Sequence, residues 1–551
     1  MSLEIPPLPS PPVHRRFHRP DPNQIAAYEQ LKKHFEWIHR LEGEKNRHKA
    51  SMDLRHPMDA CTQEKDGYDR YKIICPYCLK KFEIGSLLYR ATPREDPNGK
   101  AIDCFEPEND AQYAEFWKKM GVNDIEPLQK HILDADPAHG EIASVTFELD
   151  QPWNTLTLPY NDETRKQMFR DKVRRVEDKY GNVTSERICP ECHTPLPGDI
   201  GFCPNYIYSF MGNSSCGKTV YLNRLILTLT SGGFLNGDYY GMGANDGMAK
   251  LGETALDGAR ALFTVTGQSL AEATDVGYIP PTILRLEHTG SGERFFITLF
   301  DYPGEAIWKD DDAFFQPLAE RVRQNSDGLI LMFDSGVTLN RYLPDQYKTE
   351  LQLESEGNNP ANASASQVIR HIYANTFHGS VVGKPVALVL SKSDLIKYYL
   401  EQSGGDLPSF LSPVFPHQTL DLSDLHRCHQ EVEAFLNQHD IGTTGTAKVM
   451  CRGNSAWFAV SSTGTPLVDG TIQEGAQVNG LRETDPLEWL LYRNGHLKAD
   501  FRADDKVARR WAAGFQVDAY HKLQEMESEL ESACQEYNRL FNAYNDRCNN
   551  A

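Results

Sequence analysis

The sequence contains no apolar run near the ~18 residues that a membrane span requires. Its opening, Met1-Ser-Leu-Glu-Ile-Pro-Pro, lacks the basic stretch and apolar core of a secretory signal, so a cytosolic setting is expected. Positive charge is scarce: 57 Lys and Arg face 77 Asp and Glu, a formal net charge of −20. That balance argues against a general nucleic-acid-binding surface and leaves room only for a local basic patch. No internal repeat and no long low-complexity tract is present. The 40% hydrophobic and 24% charged content is that of a globular chain, and 551 residues suffice for about two to four domains. Cysteine is not scarce. Twelve of them in a reducing compartment argue against a disulfide framework, whereas paired Cys-x-x-Cys spacing suits metal.

The most informative stretch is Tyr206-Ile-Tyr-Ser-Phe-Met-Gly212-Asn213-Ser214-Ser215-Cys216-Gly217-Lys218-Thr219. Gly212-x-x-x-x-Gly217-Lys218-Thr219 is a complete phosphate-binding loop, preceded by an apolar strand pattern and followed by a helical one over Val220 to Leu229. Glycines allow a tight turn whose N–H groups can surround phosphate oxygens at a helix N-terminus. Lys218 would reach the β- and γ-phosphates, and the Thr219 hydroxyl would ligate Mg²⁺.

Three later segments bear on which nucleotide is bound. An apolar run from Phe295 ends in Asp301-Tyr-Pro-Gly304-Glu305. Asp301 could hold Mg²⁺ through a water, and the Gly304 amide could sense a γ-phosphate. A second buried run ends in Ser391-Lys392-Ser-Asp394, which resembles the Asn/Thr-Lys-x-Asp base-recognition motif of GTPases. A carboxylate at Asp394 can accept hydrogen bonds from guanine N1–H and its 2-amino group, donors that adenine does not pair in this way. The Lys392 stem would pack along the base. A third run ends in Ser461-Ser462-Thr463, resembling the Ser-Ala-x loop whose backbone meets the guanine oxygen. Each segment taken alone also reads as an ordinary turn after a strand. Their order, with a further strand at Ser326–Asp334 between the first and second of these segments, is the GTPase order.

Residues 205–500 therefore resemble a translation-factor-type (TRAFAC) P-loop GTPase. The resemblance implies an α/β fold with a Rossmann-like, mainly parallel sheet, binding GTP/GDP and Mg²⁺. It implies a molecular switch whose loops near 270–282 and 301–310 respond to the γ-phosphate. Either Thr274 or Thr282 could be the sensing threonine; Thr282 begins a strand that could draw it away from the phosphate. Glu305 stands where many GTPases place a water-orienting glutamine, and Ser214 where Ras-like switches commonly have glycine. Both departures imply slow intrinsic hydrolysis or reliance on a partner. Two alternatives stay open: a nucleotide-binding interaction scaffold with negligible hydrolysis, and an ATP-driven P-loop NTPase.

Upstream, Cys75-Pro-Tyr-Cys78 and Cys189-Pro-Glu-Cys192 each place two thiolates on one side of a tight loop, and two such loops can complete a tetrahedral Zn²⁺ site. Residues 79–188 between them read as an inserted subdomain. Cys203 is a competing ligand, and His193 reads as a polar ribbon residue. The text Cys189-Pro-Glu-Cys-His-Thr-Pro-Leu-Pro197 before the phosphate-loop strand, with Asp485-Pro-Leu-Glu-Trp-Leu-Leu491 after the last motif, resembles bacterial double-GTPase conflict-system proteins. That resemblance implies a regulatory GTPase encoded with partner proteins, in antiviral defence.

The expected organisation is an N-terminal arm and helix (1–70), a split zinc ribbon with insertion (71–200), a P-loop GTPase domain (201–500) and a C-terminal helix (501–551). Asp21-Pro22 reads as an N-cap followed by a first-turn proline. Tyr28, Leu31, Phe35, Ile38 and Leu41 form an amphipathic stripe, and Leu523, Met526, Leu530, Ala533, Tyr537, Leu540 and Tyr544 follow a heptad pattern. These two helices either pack on the core or on each other, or they form a nucleotide-responsive arm or a homodimer seam. Protein partners are expected through the zinc insertion or these helical ends.

Overall fold

The computed structural model describes residues 5–11, 21–52, 72–83, 86–91, 108–120, 122, 125–149, 153–168, 172–213, 215–231, 234–235, 239–243, 260, 263, 281–302, 315–348, 362–379, 382–413, 419–451, 454–476, 478–494, 496–497, 499–502, 505–514 and 517–549. Among them no helix is long and apolar enough to cross a membrane. The chain divides into two compact units, Met1–Met58 with Ala503–Ala551, and Asp59–Arg502.

In the first unit the helix Pro22–Met52 pairs with the helix Val517–Asn549. Asp21 accepts from the Asn23 amide at 3.0 Å, satisfying an N–H that the helix start would leave open. Tyr28 meets Tyr544 and Phe35 meets Tyr537, so the helices run antiparallel. Leu31, Ile38, Leu530, Ala533 and Tyr537 are buried between them. The two sequence stripes thus bury one another within one chain. The side chain of Leu523 lies outside the described residues.

The second unit is built on a seven-stranded, mainly parallel sheet. Its strands are β1 (Asn205–Gly212), β2 (Tyr239–Gly243), β3 (Thr282–His288), β4 (Arg294–Asp301), β5 (Gly328–Asp334), β6 (Val386–Ser391) and β7 (Ser455–Ala459). The spatial order is β2-β3-β4-β1-β5-β6-β7. Strands β4, β1, β5, β6 and β7 are parallel, while β3 joins β4 and β2 joins β3 antiparallel. The central strands are mainly apolar because helices cover both faces, as parallel sheets require.

Alternation along β1 assigns the faces. Tyr208 and Phe210 face helices α1 (Lys218–Thr230) and α6 (Asp485–Arg493): Phe210 meets Tyr221, and Leu490 lies over Gly328 beside Tyr208. Ile207 and Met211 face the opposite core with α2 (Phe315–Asn325), α3 (Ala365–Asn375) and α5 (Leu422–His439), contributing Val322, Ile369 and Val432. The helix α4 (Ser393–Ser403) follows β6.

The same second core takes in Cys75, Tyr77, Leu79 and Trp117 of the cysteine region. There a hairpin of Lys72–Ile74 with Lys81–Glu83 carries the first knuckle. A three-stranded sheet of Leu88–Arg90, Ile132–Asp134 and Arg187–Ile188 leads to the second. The insertion adds the helix Ala111–Lys119 and a four-stranded antiparallel sheet.

Candidate nucleotide site and cysteine cluster

The strand registers bring the sequence motifs to one edge of the sheet. Phe210 of β1 pairs with Asp301 of β4, Gly212 with Met332 of β5, Asp334 of β5 with Ser391 of β6, and Leu390 with Ala459 of β7. The chain leaves β1 toward β4 on one side and returns to β5 on the other. Ligands of such sheets bind at this reversal, beyond the carboxyl ends of the strands.

The phosphate loop occupies that reversal. A side chain at Gly212 would drive its Cβ into the Met332 carbonyl oxygen and stand 3.0 Å from Cys216 Sγ, so only glycine fits. Gly217, at φ 86°, sits in the left-handed region and caps α1. Lys218 is buried, its Nζ donating to the carbonyls of Gly212 and Asn213 at 3.0 Å each. It therefore lies across the mouth of its own loop. Asn213 Nδ2 donates to the Ala363 carbonyl, and Ser215 and Cys216 form the crest of the loop.

The structure brings Thr219 and Asp301 together: the hydroxyl donates to Asp301 Oδ2 at 3.2 Å. Asp301 Oδ1 is buried with no hydrogen-bond partner. Burial raises the Asp301 pKa, opposed by the charge of Lys218 and the Thr219 hydroxyl. An unsatisfied buried carboxylate oxygen beside a hydroxyl fits a Mg²⁺, which Thr219 and Asp301 would hold. Thr282 opens β3 in the ladder opposite Leu299 and is buried. Ser214, Thr274, Gly304 and Glu305 lie outside the described residues.

At the far side of the loop, Lys392 takes a left-handed φ of 55°. Its Nζ donates to the Ser215 carbonyl at 2.9 Å and pairs with Asp334 at 2.7 Å. Ser391 Oγ lies 2.6 Å from the Cys216 carbonyl oxygen and 3.0 Å from that of Phe333. The serine that departs from the usual Asn or Thr thus still reaches the phosphate loop. Asp394 is buried and accepts a hydrogen bond from Ser461 Oγ, which itself accepts from the Gly464 amide at 2.8 Å. Burial raises the Asp394 pKa, and the Ser461 hydroxyl opposes that rise. Ser462 is half-buried in the same turn.

Sequence reasoning passed over two contributors. Asp334 ends β5 at the ligand edge and anchors Lys392; its signal was an acidic residue closing a buried strand. Glu483, after the last motif, accepts from Thr228 Oγ1 at 3.1 Å and pairs with Arg224, while its carbonyl takes the Tyr221 hydroxyl at 2.7 Å. It ties the Ser461 turn region to the phosphate-loop helix.

The four knuckle cysteines converge. Their sulfurs all lie within 4.8 Å of one another, all buried, with Cys75–Cys192 and Cys78–Cys189 at 3.7 Å. Thiolates ~2.3 Å from a tetrahedral Zn²⁺ would be about 3.8 Å apart, so the set fits that ion. Each knuckle closes with a backbone bond, Leu79 N–H to Cys75 and His193 N–H to Cys189, through left-handed Leu79 and His193. His193 points elsewhere: its Nδ1 is 3.0 Å from Asp110. Burial works against the Asp110 charge, but His193, the Tyr113 amide and Arg90 outweigh it and hold its carboxyl at about 2. Cys203 lies outside the cluster, its Sγ 3.6 Å from the Asp199 carbonyl oxygen.

No family model and no curated protein matches the chain. Among solved structures it is similar to an Era point variant from Aquifex aeolicus bound to GDP and tetrafluoroaluminate. That match has 11% identity over 55% of this chain and 61% of that chain, with a TM-score of 0.23. It is also similar to the Ski7 GTPase-like domain of S. cerevisiae bound to GTP, at 15% identity over 53% and 50%, with a TM-score of 0.24. The same domain with GDP and inorganic phosphate gives 16% identity over 47% and 43%, with a TM-score of 0.21. The chain spans less than two thirds of the length of each. Scores of this size identify no fold, which the strand order and loop contacts describe directly.

Proposed function

We propose that the chain binds guanine nucleotides with Mg²⁺ and acts as a molecular switch that hydrolyses GTP slowly or on stimulation by a partner protein. One observation carries the reading. A buried carboxylate, Asp394, is held by Ser461 at the sheet edge, and the lysine two residues before it reaches the phosphate loop. A base clamp and a phosphate cradle are thereby joined by two side-chain contacts, Lys392 to Ser215 and Ser391 to Cys216. Asp394 offers acceptors that suit the N1–H and 2-amino donors of guanine and that adenine cannot use.

Phosphate binding would exchange the Lys218 contacts with Gly212 and Asn213 for phosphate oxygens. Mg²⁺, when bound by Thr219 and Asp301, supplies charge neutralisation between the β- and γ-phosphates. Water attack needs no covalent enzyme intermediate, so Lys218 and the loop amides act by positioning and by stabilising charge. In this proposal Gly304 senses the γ-phosphate, and Cys75, Cys78, Cys189 and Cys192 hold a structural Zn²⁺. The resemblance to double-GTPase conflict-system proteins supplies the biological setting, a switch acting with partner proteins in antiviral defence.

Isothermal titration of the purified chain with GTP, GDP and ATP tests the base preference. ATP bound as tightly as GTP would overturn it. Phosphate release, measured with and without co-purifying proteins, separates a switch from a scaffold; no release under either condition sinks the hydrolytic part.

A further inference from the structure

Beyond β7 the chain makes the Ser461 turn and later comes back alongside it as the segment 479–485. Ser461 and Leu481 exchange both backbone bonds, at 3.0 and 2.8 Å, and the Asn479 amide donates to the Thr463 carbonyl at 3.1 Å. Gly464, at φ 70°, lies so close that a Cβ there would strike the Asn479 carbonyl. The Gly464 amide and the Ser461 hydroxyl are the groups that set Asp394. The returning segment therefore backs the base-side turn directly. Yet Ser461–Leu481 is an isolated bridge rather than part of a ladder. So short a pairing has no run of alternating side chains to set its register.

The residue after Leu481 supplies what the bridge lacks. Arg482 is buried and takes a left-handed φ of 53°, a conformation that side-chain-bearing residues keep only where their surroundings impose it. Its Nε donates to Asp485 Oδ2 at 2.8 Å, and its Nη2 donates to Asp424 Oδ2. Asp424 lies in the first turn of α5, and Asp485 opens α6. These helices cover opposite faces of the sheet, so one guanidinium ties both layers to the segment that backs the turn. The planar fork of arginine can meet two carboxylates at once, which the point charge of a lysine does not reproduce. A buried ion set is a weak stabiliser beside apolar packing and is better suited to fixing one arrangement.

We propose that Arg482 is a positioning residue for base selection. Clamped between Asp424 and Asp485, it holds Leu481 in register with Ser461, and Ser461 in turn holds the carboxylate of Asp394. This deepens, and rests on, the guanine-nucleotide reading above. Arg482 touches no part of the nucleotide in this scheme. It acts through one backbone bridge and one side-chain hydrogen bond.

The test uses the full chain with Mg²⁺ and compares GDP with inosine diphosphate, which lacks only the 2-amino group. Isothermal titration of the wild type should favour GDP by about 10–10²-fold, the worth of one charge-assisted bond. In Arg482→Lys that ratio should fall by at least ~5-fold, the worth of one ordinary hydrogen bond. Asp424→Asn, which keeps the shape and removes the charge of one arm, should lower it in the same direction. A ratio unchanged in folded Arg482→Lys overturns the inference, whether both affinities are kept or both fall alike, and leaves the guanine reading standing. A general loosening of the fold has that second signature. Should Arg482→Lys not fold, an unchanged ratio in Asp424→Asn overturns it equally. A wild type that binds GDP no better than inosine diphosphate overturns the assignment of Asp394 to the base, and this inference with it.

Discussion

Replacing Asp394 by Asn should move the base preference from guanine to xanthine, and the structure says why the new amide would be oriented correctly. Asp394 Oδ1 receives the Ser461 hydroxyl, whose position is fixed by the Gly464 amide. An asparagine can keep Oδ1 there and turn Nδ2 toward the base. Guanine presents two donors at that edge and would then face a donor. Xanthine presents an oxygen in place of the 2-amino group and would be matched. In the proposed complex the carboxylate would contribute two charge-assisted bonds to guanine, ~1.5–3 kcal/mol each. Their loss should weaken GDP binding by about 10²–10⁴-fold. Titration of Asp394→Asn with GDP and xanthosine diphosphate measures both effects. Adding Ser461→Ala should abolish the gain for xanthine, because nothing then holds the amide oxygen in place.

The pH dependence has a definite sign. Guanine needs the ionised carboxylate, and burial raises the Asp394 pKa. GDP affinity should therefore fall as pH is lowered toward that raised value, before an ordinary aspartate would titrate, and Asp394→Asn should lose this dependence. If Asp394→Asn binds GDP within about 3-fold of the wild type, well short of the loss worked above, the assignment of Asp394 to the base is wrong.

Gly212→Ala should cost ~1–3 kcal/mol of overpacking against the Met332 carbonyl and weaken nucleotide binding by about 5–150-fold in the same titration. Gly217→Ala, where the Cβ meets only Lys392 Cε at 3.9 Å, should cost the ~1–2 kcal/mol of a left-handed φ. Metal analysis should find about one zinc per chain, and less than about half an equivalent would remove the four-cysteine assignment. Burial lowers the His496 pKa to about 4, whereas an unfolded histidine titrates near ~6.5. Between those values the unfolded state binds the extra proton, so stability is present above pH ~6.5 and lost as pH falls. Comparing denaturant midpoints of the wild type and His496→Leu at pH 7.5 and pH 4 should show the wild type losing up to about 3 kcal/mol relative to the variant.

The parallel strands were legible because burial on both faces makes them continuous apolar runs, such as Pro385 to Leu390, each ending in a polar motif. The cysteine pairs were legible from spacing alone. Strand β2 was not, because the two glycines of Tyr-Tyr-Gly-Met-Gly interrupt any apolar run, and the strand is set by its pairing with β3. The sheet of the insertion was hidden for a different reason. Its strand Lys172–Asp178 carries charged residues that pair with their neighbours, as Lys172 does with Asp199 at 2.7 Å, so no apolar alternation marks it. The two helical stripes were readable, and packing on each other stood among the alternatives, but nothing in the sequence chose it over packing on the core or a homodimer seam.

What the sequence could not carry is the set of contacts that turn motifs into a device. Ser391 and Lys392 reach phosphate-loop carbonyls 175 and 177 residues earlier in the chain, and Arg321 reaches Cys78 243 residues away. A motif records which groups must touch a ligand, and its local spacing is enforced by the turn it occupies. Contacts between motifs are enforced only by sheet order, which places β5 beside β1 and β6 beside β5, and sets α2 over the knuckles. Ser391 shows the consequence. Judged against a pattern it is a deviation, yet a hydroxyl at the end of β6 lies within 3.0 Å of two carbonyl oxygens that a longer amide would also meet. The requirement at that position is a donor of the right reach. Ser391→Ala, which leaves the Cys216 carbonyl without that donor, should therefore harm nucleotide binding, whereas Ser391→Thr should be tolerated.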